Sequence, residues 1–139
     1  MDAKALLMVT SAFILCALGL THLVYTFWGP KLLPRDPDLM DLMKTVPLVI
    51  TTETTVWNAW IGFNAGHSMA AILFGLVYGH LAVVQPGVLY ASPFLLVVGL
   101  LMLAGLCVVG WVYWFSVPFV GLCAALLCYV ASIVLAWAW

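Results

Sequence analysis

After Glu53 the chain carries no Asp, Glu, Lys or Arg, an uncharged run of 86 residues from Thr54 to Trp139. A water-exposed domain draws about a quarter of its residues from the charged set. Here the charged share of the whole chain is 6% and the hydrophobic share 67%. The chain is therefore expected to lie in a bilayer, as one domain over residues 1–139. A net charge of −1 supplies no basic field, so nucleic acid is not an expected partner.

Four apolar stretches approach the ~20 residues needed to cross the hydrocarbon. They run over about 5–28, 56–84, 92–112 and 118–137. Backbone N–H and C=O groups find no water in lipid, which makes helix the expected form of each. The expected fold is all-α: four transmembrane helices in an antiparallel bundle. The first stretch has the lysine and apolar run of a signal peptide but lacks a small-residue cleavage site. It reads as an uncleaved span. Breaks fall at "QPG", at Ser92–Pro93 and at "WFSVP", where Ser116 is the expected N-cap and Pro118 sits in the first turn.

The one long connection joins the first two spans. Asp36–Pro37 is a helix start signal, and Leu39, Leu42, Met43 and Val46 recur at helical spacing with Asp38, Asp41 and Lys44 between them. A short amphipathic helix over about 37–46, lying in the interface, is expected. Lys31, Arg35 and Lys44 flank this loop, against Lys4 alone at the N-terminus. The positive-inside rule then sets the loop in the cytoplasm and both termini outside. Aromatics also gather near this side, from Tyr25 and Trp28 to Trp111 and Trp114, with Trp137 and Trp139 at the other.

The four cysteines, at 16, 107, 123 and 128, form no CxxC and imply no disulfide framework. Cys107 and Cys123 are equidistant from the turn at Phe115, so they are expected at similar depth on neighbouring helices as polarizable packing residues.

Polar side chains concentrate on the second span. Turning 100° per residue from Glu53 brings Trp57, Trp60, Asn64, His67, Ala71, Gly75 and Tyr78 near one line, provided that the chain is already helical at Glu53. His67 falls about 15 Å past Trp57, and His22 of the first span about 9 Å in from Trp28, at the depth of Asn64 within a turn. The third and fourth spans hold little beyond cysteines, Tyr129 and Ser132. The picture is a polar seam between the first two spans.

Two readings of the seam stand side by side. In one, Asn64, His67 and Ser68 are glue between helices, at roughly 0.6 kcal/mol per hydrogen bond, helped by the GxxxG pairs Gly62–Gly66 and Gly75–Gly79. In the other, His22, Glu53, Trp57, Trp60, Asn64 and His67 bind a ligand, since costly intramembrane polar groups mark functional sites. Glu53 also suits a helix N-terminus capped by Thr51 or Thr52. His80 reads as interfacial. A haem or pigment through His22 and His67 is the one cofactor that the histidines allow, because His67 and His80 stand about 140° apart on one helix. No metal set of three or four ligands and no catalytic motif is present. Were the chain an enzyme, Glu53 or His67 would be the proton-transfer group.

The stretches "THLVYTFWGPKLLPRDPDLMDLMK" and "TTETTVWNAWIGFNAGHSMAAILFGLVYG", with "LPRD", "WNAWIGFN" and "GHS" as their most specific words, resemble a family of small four-helix bacterial membrane proteins without an assigned activity. That likeness implies a bacterial inner membrane. More distantly the chain is similar to the EXPERA-type proteins, which include sterol isomerases and a sterol-binding receptor. That likeness implies Glu53 as the acid near the second helix, with His22 and Trp57 lining a cavity. The EXPERA-type proteins use more than one intramembrane acid, whereas this chain offers Glu53 alone. The expected function is binding of an apolar ligand with one polar group, a sterol, isoprenoid, quinone or lipid. The alternative is a non-catalytic accessory subunit of a membrane complex, in contact with lipids and with protein partners through Gly62, Gly66, Gly75 and Gly79.

Overall fold

The computed structural model describes residues 1–138. The Trp139 part of the expected aromatic edge therefore lies outside the described residues. The chain is all-α apart from a small two-stranded sheet. Its elements are α1 (Ala3–Phe27), α2 (Pro37–Thr45), β1 (Pro47–Leu48), β2 (Thr51–Thr55), α3 (Val56–Val84), α4 (Pro86–Ala91), α5 (Pro93–Tyr113) and α6 (Ser116–Trp137). The helices α1, α3, α5 and α6 are each long and apolar enough to cross a membrane.

The chain forms two compact units, one of residues 1–18 and 71–138, the other of Gly19–Ala70. The first unit is a bundle of α5 and α6 with parts of α1 and α3. Its core holds Met8, Leu15, Phe74, Leu89, Leu103, Leu122 and Tyr129. Outward residues such as Leu73, Leu101 and Leu127 are 62%, 66% and 70% exposed, a degree of apolar exposure that suits contact with lipid tails and not with water. Gly75 lets α1 and α3 meet: a Cβ there would stand 2.5 Å from Cys16 Cβ and 2.6 Å from the Ala12 carbonyl oxygen. Gly75 thus serves the close packing of helices within the chain itself.

Buried phenols find acceptors on the helix backbone. Tyr78 donates its hydroxyl to the Leu95 carbonyl at 2.6 Å and Tyr129 donates to the Leu96 carbonyl at 2.9 Å. Gly99 opens the space, since a Cβ there would overlap the Tyr129 hydroxyl and come within 2.8 Å of the Tyr78 ring. Ser132 donates to the Lys4 carbonyl at 2.8 Å. Its single proton is then spent, so Tyr90 is the donor in the 2.8 Å Tyr90–Ser132 bond. Cys107 and Cys123 do lie together, lining one open apolar groove of about 400 Å³ with Trp111 and Phe119.

Helix ends follow local chemistry in most places. Asp36 accepts from the Asp38 N–H and Ser92 from the Leu95 N–H, both ahead of a proline in the first turn. Ser116 is a correction: it is the first helical residue, and Phe115, with no side-chain cap, precedes it. The helix α4 was not expected, because the proline of "QPG" starts a short helix there as well as ending the long one.

The second unit holds the end of α1, the loop and the start of α3. Helix α2 forms one residue shorter than expected and buries none of its residues. The hairpin β1–β2, in contrast, was not expected. Pro47 pairs with Thr55 and Leu48 with Thr51, with a register irregularity between. Four threonines around Glu53 are stiff, β-branched residues that favour an extended backbone over a helical lead-in.

Candidate functional site

The site is built by two helical stretches of the second unit. On α3, positions four apart stack along one line, which is why side chains there can reach backbone carbonyls one turn back. Asn64 donates its Nδ2 to the Trp60 carbonyl at 2.7 Å, and Ser68 donates its hydroxyl to the Asn64 carbonyl at 2.8 Å. His67 sets Nδ1 3.3 Å from the Phe63 carbonyl. A carbonyl oxygen only accepts, so that nitrogen bears a proton. On α1, His22 lies with Nε2 2.9 Å from Asn64 Oδ1. The His22 and His67 rings approach to 4.4 Å between centroids, tilted by 47°. Thr26 donates back to the His22 carbonyl at 2.8 Å, so its hydroxyl is used within α1.

The cluster is therefore His22, Asn64, His67 and Ser68, with Trp60 as its anchor. Asn64 and Ser68 are buried, while His22 and His67 are half-buried. The Trp60 indole N–H donates to the Leu32 carbonyl at 3.3 Å and ties the long loop to the first turns of α3. The residue stays 41% exposed. Trp57 is half-buried and, among the described residues, makes no hydrogen bond or ring contact with the cluster.

Glu53 stands apart. It was expected on the polar line only if the helix already included it, and α3 begins at Val56. Glu53 lies exposed on β2, its N–H donating to Thr51 Oγ1 at 3.1 Å. Neither Thr51 nor Thr52 caps α3; Thr55 does, accepting from the Asn58 N–H at 3.3 Å. From Asn64 onward the expected line holds: Asn64, Ala71, Gly75 and Tyr78 are all buried.

The histidine pair does not fit a bis-histidine haem. Rings 4.4 Å apart touch one another, and a macrocycle would have to lie between them. Among the described residues no group of three or more His, Cys, Asp and Glu converges on a point. Two open apolar grooves, of about 400 and 370 Å³, lie on the first unit, and neither is lined by His22, Asn64 or His67. Of the residues expected at the site, His22, Asn64 and His67 come together, Ser68 joins them from the helix-glue reading, and the Trp60 backbone carbonyl fixes the Asn64 amide. No side-chain pattern signals that.

Four apolar helices, each long enough to cross a bilayer, mark an integral membrane protein, and α1 and α3 carry a small polar cluster. No family model, no curated protein and no solved structure matches the chain.

Proposed function

We propose that this protein binds an apolar molecule with one polar group, a sterol, isoprenoid, quinone or lipid, whose polar group is held at His22, Asn64 and His67. The observation that carries this reading is the 2.9 Å His22–Asn64 bond with a second imidazole 4.4 Å from the first. Helix glue needs one cross-helix hydrogen bond, and each further polar side chain placed in a bilayer carries a desolvation cost. Such groups are retained in a bilayer where they contact a ligand. Trp60, partly exposed and joined to Asn64 through its carbonyl, is the aromatic residue proposed to meet the apolar part of the ligand. Glu53 has no part in this proposal. The proposed setting is a bacterial inner membrane, following the small four-helix family that the sequence resembles.

Native mass spectrometry of gently solubilised protein tests the proposal. The expected result is a retained small molecule that is lost in His22→Ala and Asn64→Ala. Protein released without any adduct, from mild detergent and from lipid nanodiscs alike, overturns it.

An accessory role in a membrane complex is favoured by one observation. A Cβ added at Gly62 or Gly66 would meet nothing within 4 Å, so that flank of α3 is open to a neighbouring helix. Retained protein partners in the same spectra, lost in Gly66→Leu, would support this second reading.

A further inference from the structure

We infer that the polar group received at this cluster is a hydroxyl, which donates its proton to Nδ1 of His22; the inference rests on the binding role proposed above. The argument begins at Trp60. Its carbonyl oxygen has no proton to give, so the amide atom 2.7 Å away must be the Asn64 nitrogen. The amide oxygen is then the atom facing His22, at 2.9 Å. It too only accepts. The proton of that bond must therefore reside on His22 Nε2. A neutral imidazole has one N–H, so its lone pair falls on Nδ1. One backbone carbonyl on α3 thus selects the tautomer of a histidine on α1.

Nδ1 is left as an acceptor. Among the described residues no donor reaches it. Nor is it sealed inside the chain: among the described residues the one fully buried side-chain N or O atom without a partner is Ser11 Oγ, so Nδ1 is open to the surroundings. His22 lies six residues before Trp28, about 9 Å in from that end of the helix. At such depth water is scarce, and an acceptor without a donor carries a desolvation penalty.

A molecule that supplies an O–H removes that penalty. One whose polar group is a ketone, ether or ester brings a second lone pair against the first. The chemistry recognised is hence an apolar alcohol or phenol: a prenol, a sterol or a quinol, and not a quinone or an ester. Sites that bind through a donor–acceptor pair discriminate against analogues that leave the partner unsatisfied.

The test uses two matched pairs, farnesol with its methyl ether and cholesterol with its methyl ether, titrated into the full chain in nanodiscs. Binding is read by tryptophan emission and by the ligand-induced rise in unfolding midpoint. The expected result is an alcohol bound about tenfold or more tighter than its own ether in at least one pair, with the preference abolished in His22→Phe. Equal binding of alcohol and ether overturns the hydroxyl assignment and leaves the binding role standing. A preference that survives in His22→Phe overturns the assignment to His22. Binding of none of the four overturns both. The comparison on the unmodified protein stands by itself should His22→Phe fail to fold.

Discussion

His22 and Asn64 are 42 residues apart in the chain and 2.9 Å apart in the fold, joined through Nε2 and Oδ1. Because the other end of the Asn64 amide is held by the Trp60 carbonyl, the pair has one hydrogen-bond polarity only. A double-mutant cycle with His22→Ala and Asn64→Ala should give a coupling of about 0.6 kcal/mol, with an upper bound near 1.7 kcal/mol. Asn64→Ala alone should cost more, about 1–3 kcal/mol, because it leaves the His22 N–H without an acceptor. Reversible unfolding in mixed micelles measures both. A coupling indistinguishable from zero would remove the bond from the account of the fold.

Gly99 and Gly105 lie on the same helix with opposite surroundings. A Cβ at Gly99 runs into Tyr129 and Tyr78, whereas one at Gly105 meets nothing within 4 Å. Gly99→Ala should therefore destabilise by about 1–3 kcal/mol through overpacking. Gly105→Ala should be neutral or stabilising by up to about 1 kcal/mol from helix propensity. Equal effects would mean that the tyrosine pair tolerates displacement.

Gly75→Ala should separate α1 from α3, since the new methyl would sit 2.6 Å from the Ala12 carbonyl oxygen. A loss of about 1–3 kcal/mol is expected, against little or none for Gly66→Ala, whose Cβ is unobstructed. Thermal unfolding of the two variants in one detergent gives the comparison. A larger loss for Gly66→Ala would reverse the assignment of the two GxxxG faces.

Ser11 Oγ is fully buried with no hydrogen-bond partner, while Ser132 Oγ bonds both Tyr90 and the Lys4 carbonyl. Ser11→Ala should stabilise the protein by up to about 1 kcal/mol, and Ser132→Ala should destabilise it by about 1–3 kcal/mol. Destabilisation by Ser11→Ala would reveal a partner for its hydroxyl.

Tyr90, on the short helix outside the spans, gives the fold an alkaline limit. Burial pushes its phenol above the ordinary 10.0, the nearby Asp2 carboxylate adds to the rise, and the bond to Ser132 opposes it. The neutral phenol is thus favoured in the folded state. Its contribution is complete below pH 10 and is lost as the pH climbs through the higher folded value, because the unfolded chain ionises first. Tyr90→Phe should flatten the alkaline limb of stability. An unchanged limb between pH 9 and 12 would assign the loss to other groups.

What was legible in the sequence follows from hydropathy and from local chemistry. The span expected over 56–84 is α3, Val56–Val84, since a proline and a run of threonines bound it on either side. Asp36 and Ser92 were readable as starts because a cap needs a side chain within three residues. Glu53 was misplaced for the converse reason. Threonines tolerate both helix and strand, and pairing with Pro47 and Leu48, a contact outside the segment, decided for the strand.

By itself the sequence determined a bilayer-spanning chain of four helices, because burying backbone groups in hydrocarbon permits few other forms. It also determined which flank of α3 turns inward, through the 100° turn per residue. Only the tertiary structure decided that Gly75 and Gly99 are points of close approach while Gly62, Gly66 and Gly105 are open. Only it decided that His22 Nε2 meets the oxygen of the Asn64 amide. Those outcomes depend on atoms a few ångströms apart from residues far apart in the chain, and a pattern along one helix holds no record of what the next helix brings to it.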